Sequence, residues 1–242
     1  MIIAYDGTDY FGWQRQKEKL AVAQVLEDTF ATVFNRNITL FAASRTDAGV
    51  HAVGQVVTFK TDLVVQTQKM MRAWNNLLPS NIAIRSIEKA EADFHLHANV
   101  VNKTYWYHFF SKPPLPFVSR YGWYYRYPVD INKLQQSLNI FIGTHDFRSF
   151  STGDERGEDT IRTINSATVE YLSRYNAYRI EIVGPKFLHY MVRRMAGACI
   201  EVASRDDLKV DEIKRVLEAK NPEHLLPNAP AKGLMLYKIR YK

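Results

Sequence analysis

Apolar residues along this chain switch repeatedly between two spacings, and that switching limits what it can fold into. Val22, Val25, Leu26, Phe30, Val33 and Phe34 recur at helical spacing and predict an amphipathic helix over about 21–35. Ile38–Ala43 and Val53–Phe59 are short apolar runs flanked by polar turn residues, which is a strand signal, as are Met1–Tyr5 before Asp6-Gly7-Thr8-Asp9 and the run Ile82–Ile87. Residues 66–77 read as a helix stopped by Pro79. Asp93 to Lys112 reads as extended, and Pro113, Pro114 and Pro116 then break it. A helix follows over Ile131–Ile140, then a polar loop over Ser151–Asp159. Strand runs come at 161–172 and 177–183, around a turn at Ser173–Ala177. Leu188, Met191, Val192, Met195, Cys199 and Val202 share one helical face over about 187–203. A further helix is expected near 209–219 and a closing strand over Gly233–Tyr241. Strands with interspersed helices and no fixed repeat argue an α+β chain.

At 242 residues, both a single elongated domain and two modest lobes are open. Hydrophobic residues at 46% supply a sizeable core, which argues against disorder. Residues 1–100 carry as many acidic as basic side chains, so the whole formal charge of +7 lies in 101–242. That asymmetry suits an anionic partner, although net charge alone favours a solvated basic surface. One cysteine, Cys199, excludes an internal disulfide framework and a cysteine-rich zinc site. No run approaches a membrane span, and the opening Met1–Asp6 has no basic leader, so the expected compartment is cytoplasmic. His95-x-His97 with His51 lacks a completing ligand, so no metal is expected. With no phosphate-binding loop, dinucleotide fingerprint or Gly-x-Ser-x-Gly elbow, no cofactor is expected either.

Three stretches carry candidate chemistry. In Arg45-Thr46-Asp47, alternation on an extended chain projects Arg45 and Asp47 to one side, and Gly49 permits the turn that aims them outward. A carboxylate beside a guanidinium stays ionised, which suits nucleophilic or electrostatic work, whereas an Asx-type turn with a surface ion pair needs the same residues. In Lys103-Thr104-Tyr105-Trp106-Tyr107, the two tyrosines share one strand face; they suit stacking on bases or plain packing. On the helix over 187–203, His189 and Arg193 are four apart and therefore adjacent, and Arg194 points further round, toward phosphate or solvent.

Ser44-Arg45-Thr46-Asp47-Ala48-Gly49-Val50-His51-Ala52 resembles the Arg-Thr-Asp-Ala-Gly-Val-His motif of the TruA family of tRNA pseudouridine synthases. The resemblance runs in order over nearly the whole chain. It takes in Tyr5–Gln16, Gly54–Val57, Phe94-His95, Lys103-x-Tyr105-x-Tyr107, Asp146–Phe150, Arg162-Thr163-Ile164, Phe187–Arg193 and Ala229–Leu234. It implies a pseudouridine synthase fold: two similar α/β lobes, 1–100 and 101–242, with a joined, mainly antiparallel sheet and a central cleft. It implies an isomerase that converts uridine to pseudouridine at positions 38, 39 and 40 in the anticodon stem and loop of tRNA. The protein would be a cytoplasmic homodimer, without metal or cofactor and without DNA or membrane partners. Asp47 would be the catalytic nucleophile, Arg45 would help extrude the base, Tyr105 would stack on the flipped uracil, and Arg193 would pair with Asp47. His51, Lys103, His189 and Arg194 join Tyr105 as expected substrate contacts. Ser44 stands where the family usually has glycine, His97 where arginine is common and Arg194 where asparagine is common. The chain also begins inside the family's first strand. The same chemistry at other tRNA uridines, and a non-catalytic tRNA-binding module, are the alternatives.

Overall fold

A computed structural model describes residues 1–152 and 159–242. In chain order its elements are β1 (Ile2–Tyr5), α1 (Val22–Phe34), β2 (Phe41–Ala42), β3 (His51–Thr58), α2 (Thr67–Asn75), β4 (Ile82–Ser86), β5 (Val100–Phe110) and β6 (Trp123–Tyr124). There follow α3 (Ile131–Asn139), β7 (Gly143–Asp146), β8 (Ile161–Ile164), β9 (Ser166–Leu172), β10 (Ala177–Gly184), α4 (Met191–Ser204), α5 (Asp211–Ala219) and β11 (Leu234–Tyr241). The result is a mixed α/β chain with mainly antiparallel strand pairing. Two compact units emerge: Met1–Val101 with Met235–Lys242, and Asn102–Leu234.

In the first unit the strand order is β4-β1-β3-β11, with β1 antiparallel to both β3 and β4. β11 joins parallel to β3, pairing Met235 with His51 and Leu236 with Ala52. This pairing takes residues 235–242 into the first unit, whereas the sequence division puts them in the second. They carry Lys238, Arg240 and Lys242 and no acid, so three of the seven net positive charges belong to the first unit and four to the second. The helices cover the sheet through Leu26, Phe30 and Trp74, all fully buried; the Phe30 and Trp74 rings meet edge to face at 4.7 Å. The indole Nε1 of Trp74 donates to the Leu26 carbonyl and to Thr29 Oγ1, both at 3.1 Å, which pins α2 to α1. Asn35 ends α1 in the left-handed conformation that asparagine tolerates, with its N–H on the Ala31 carbonyl.

In the second unit β5, β10 and β9 pair antiparallel in that order, and β7 and β8 form a separate hairpin. Asp130 caps α3 by accepting from the Lys133 N–H at 3.1 Å. Gln135 of α3 bonds the β9 backbone in both directions, to the Ala167 carbonyl (3.0 Å) and from the Val169 N–H (2.9 Å). α4 buries Met191, Val192, Met195, Cys199 and Val202, the face that the spacing predicts. Asp211 and Glu212 occupy the first turn of α5, where their charge complements the helix dipole.

Several expected elements differ from the observed ones. Of Ile38–Ala43 only Phe41–Ala42 pairs, because the Leu40 N–H turns away to Glu27 Oε1 at 2.9 Å. The run 161–172 divides at Asn165, whose N–H goes to the Val183 carbonyl at 2.7 Å: β8 pairs with β7, and β9 with β10. Residues 95–99 form a turn through Asn99 N–H to the His95 carbonyl, so the extended stretch begins only at Val100. α4 starts at Met191 rather than near 187, because Tyr190 sits at φ 61 and interrupts the helix. β6 and β7 are too short or too polar for alternation to mark them. Of the expected loop over Ser151–Asp159, residues 153–158 lie outside the described residues.

Truncating Phe30 to alanine leaves a large cavity between the helices and the sheet of the first unit. Phe30→Ala should lower unfolding stability by about 3–5 kcal/mol, read by urea denaturation.

Candidate active site

The aspartate turn joins β2 to β3. Thr46 points inward, 8% exposed, with its Oγ1 at 2.8 Å from the Tyr5 hydroxyl. On an extended chain its neighbours then face the other way: Arg45 is exposed and Asp47 half-buried. The turn closes through the Val50 N–H to the Asp47 carbonyl (3.2 Å), with Gly49 at φ 77.

The N-terminal segment after β1 clamps this turn through its backbone N–H and C=O groups. Trp13 N–H donates to the Thr46 carbonyl and Gly49 N–H to the Tyr10 carbonyl, both at 3.1 Å. Gly7 N–H donates to Nδ1 of His51 at 3.0 Å. His51 is 1% exposed, and the same nitrogen lies 3.1 Å from Asp6 Oδ1. Gly12, at φ 85, passes so close that a Cβ there would stand 2.4 Å from the Thr46 carbonyl oxygen. The carbonyls of Gly12 and Trp13 also receive the Val22 and Ala23 N–H groups at the start of α1, at 3.1 Å each. They replace the side-chain cap that Ala21 cannot supply. Ser44 is fixed through its carbonyl, which accepts from Gln55 Nε2 at 2.6 Å.

In the second unit, Lys103, Tyr105 and Tyr107 share one face of β5, with Tyr105 opposite Ile182 of β10. Tyr105 is 6% exposed, and its ring meets Phe187 nearly perpendicular at 5.0 Å. Tyr107 donates its hydroxyl to the Pro230 carbonyl at 3.0 Å; burial raises its pKa well above the usual phenol value, against the pull of the Arg193 charge. Lys103 is half-buried, and desolvation followed by repulsion from Lys186 pushes its pKa down to about 8. Trp106, on the opposite face, donates to Glu181 Oε2 at 2.8 Å under the guanidinium of Arg179, 3.9 Å from the ring centroid.

Arg193 lies in the first turn of α4. Its Nε donates to the Ala229 carbonyl at 2.9 Å, and its own carbonyl accepts from the Ala229 N–H at 3.1 Å. Its guanidinium lies 4.6 Å from the centroid of the Tyr190 ring, which stacks on His189 at 4.1 Å. Tyr190 thus touches both, and its left-handed backbone leaves His189 before the start of α4, so His189 and Arg193 are not neighbours on one helix. Arg194 turns back into the unit and donates Nη1 to the carbonyls of Pro222 (2.7 Å) and Ser149 (3.2 Å).

Periodicity alone passes over Gly12, Phe187, Tyr190 and Gly233, although each stands in a stretch that carries the resemblance. A side chain at Gly233 would lie 2.6 Å from Tyr107 Cζ, so the chain passes that ring only as glycine. Among the described residues, no three His, Cys, Asp or Glu side chains gather as a metal ion requires, and no helix is long and apolar enough to cross a membrane.

A family described as tRNA pseudouridine synthase matches residues 1–97 and 138–242. Among curated proteins, the tRNA pseudouridine synthase A of Thermodesulfovibrio yellowstonii is 36% identical, over all of this chain and 98% of that protein. That of Bdellovibrio bacteriovorus is 38% identical over 99% of this chain and 93% of its own length. That of Pseudothermotoga lettingae is 35% identical over 99% and 98%.

The clamp around Thr46 leaves no room for a side chain at Gly12. Gly12→Ala combines a strained positive φ with a backbone clash, and should destabilise the protein by about 1–3 kcal/mol in urea denaturation.

Proposed function

The chain belongs to the tRNA pseudouridine synthase family, and from that membership we propose that it isomerises uridine to pseudouridine in the anticodon arm of tRNA, at positions 38, 39 and 40. The observation that carries the reading is the clamped turn: a buried Thr46 flanked by exposed Arg45 and half-buried Asp47. In the reaction, the C1′–N1 bond breaks, the uracil turns while still held, and a C1′–C5 bond forms. C5 gives up its proton to solvent and N1 takes one. No electrons are exchanged with any partner, and no group leaves the nucleotide.

Each assigned residue has one task. Asp47 supplies the anion that engages the ribose or the base as the glycosidic bond opens. Arg45, exposed beside it, fills the place of the extruded nucleotide. Tyr105, braced at its edge by Phe187, gives the loose uracil a floor and a hydroxyl through which the C5 proton passes. Arg193, held by Ala229 through both its Nε and its carbonyl, is the cation that the family resemblance assigns to the aspartate. Lys103 and His189 contact the RNA. Buried His51 and carbonyl-bound Arg194 support the contact surface from behind. The first unit brings the aspartate, and positive charge on both units grips phosphate. The active form is a cytoplasmic homodimer.

Site-resolved chemical mapping of an unmodified tRNA transcript incubated with the protein tests this reading. Pseudouridine is expected at 38, 39 and 40 wherever uridine stands there, and at no uridine of the other arms. Pseudouridine confined to another arm overturns the site choice. Salt-sensitive binding with no pseudouridine anywhere overturns the activity and leaves a tRNA-binding module.

A further inference from the structure

The first residues of β5 and the segment leaving β10 bring two lysines together beside Tyr105. Lys103 stands opposite Gly184 in the ladder, and Lys186 follows Gly184 by two residues. Lys103 is half-buried and Lys186 exposed, and their charges act on each other. Each lysine is tied along the chain to one half of an aromatic pair. Tyr105 follows Lys103 by two positions on the same strand face, and Phe187, whose ring braces Tyr105, is the residue after Lys186. At roughly 3.3 Å of rise per residue, the Lys103 and Tyr105 backbones are about 7 Å apart, a span that a lysine side chain bridges with ease.

Two like charges held together on a partly desolvated surface cost free energy in the unbound protein. An anion whose oxygens face both ammonium groups reverses the sign of that cost. The lowered proton affinity of Lys103 reflects the same strain, and an anion between the lysines relieves it.

We infer that Lys103 and Lys186 form a two-lysine phosphate site that holds one phosphodiester flanking the uridine stacked on Tyr105. This assignment rests on the reading of Tyr105 as the floor for the target base. It adds Lys186, which neither the sequence motifs nor the catalytic roles include. A phosphate fixed at that point stops the backbone from following the uracil while the base turns. The site therefore tightens the ground-state complex and holds C1′ still through the step.

The test is a binding cycle between protein and RNA. tRNA is assembled with one uncharged methylphosphonate linkage, either 5′ or 3′ of a target uridine. Its dissociation constant is measured against a salt series with the wild type, Lys186→Ala and Lys186→Arg. Lys186 is exposed, so these variants keep the fold. Lys186→Ala should weaken binding to native tRNA severalfold and reduce the steepness of the log K against log salt line by about 0.7–0.9, while Lys186→Arg keeps both near wild type. At one of the two flanking linkages, methylphosphonate should weaken wild-type binding by a clearly larger factor than it weakens Lys186→Ala, in which only Lys103 still meets that phosphate. Losses that multiply at both linkages, or a Lys186→Ala salt slope equal to wild type, overturn the site. Turnover of native tRNA by the same wild-type preparation reads the isomerase assignment separately. An inactive wild type counts against that assignment, while the binding cycle still decides the lysines.

Discussion

The turn that carries Asp47 is polar and glycine-containing, and it lies between two strands, a place where a chain left to itself has little reason to hold one shape. It is fixed because the segment after β1 closes over it with Trp13 N–H on Thr46, Gly49 N–H on Tyr10 and Gly7 N–H on His51. Two of these bonds run backbone to backbone and the third ends on the His51 ring, and all are satisfied only when the two segments face each other. The same segment receives the first N–H groups of α1, so one peptide stretch both caps a helix and shapes the aspartate turn. β1 joins this arrangement through Tyr5, whose hydroxyl meets Thr46 and whose pairing with Ala52 follows an irregular step in the β1–β3 ladder. Removing strain or contacts at Gly12 or Thr46 therefore acts on helix, sheet and turn together.

The second unit positions its groups by a different device. There the chain segment 229–233 meets both α4 and β5, and its contacts fix the side chains of Arg193 and Tyr107. Ala229 bonds both the backbone and the guanidinium of Arg193, Pro230 accepts from Tyr107, and Gly233 leaves room for the Tyr107 ring. Tyr190 adds a stacked support for Arg193 on its other side. Tyr105, two residues from Tyr107 on the same strand face, inherits its placement from that anchoring and from Phe187.

Much of this was legible in the sequence, and the illegible part has physical causes. Period 3.6 reads true for α1 and for the buried face of α4, because both are large apolar stripes. It overruns the start of α4, since a tyrosine in left-handed conformation leaves no trace in hydrophobic spacing. Spacing names Arg45 and Asp47 as a pair on one side, but the inward Thr46 and the clamp by Gly12 depend on contacts more than thirty residues apart. The motif order over Tyr5–Gln16 and Ala229–Leu234 marks those partners as meaningful without saying what they hold. The charge of +7 is likewise a sum that hides its placement, because β11 and the Lys242 that follows it carry three of those charges back to the first unit.

The central claim is that this turn makes Asp47 the group on which uridine isomerisation depends. Because the reaction removes the hydrogen from C5, tRNA labelled with tritium at C5 of uridine reports it directly. Single-turnover tritium release should be complete with the wild type. Asp47→Asn, which removes the charge and keeps the shape, should slow release by ~10³-fold or more while binding the tRNA as tightly. Release by Asp47→Asn at the wild-type rate would contradict the account.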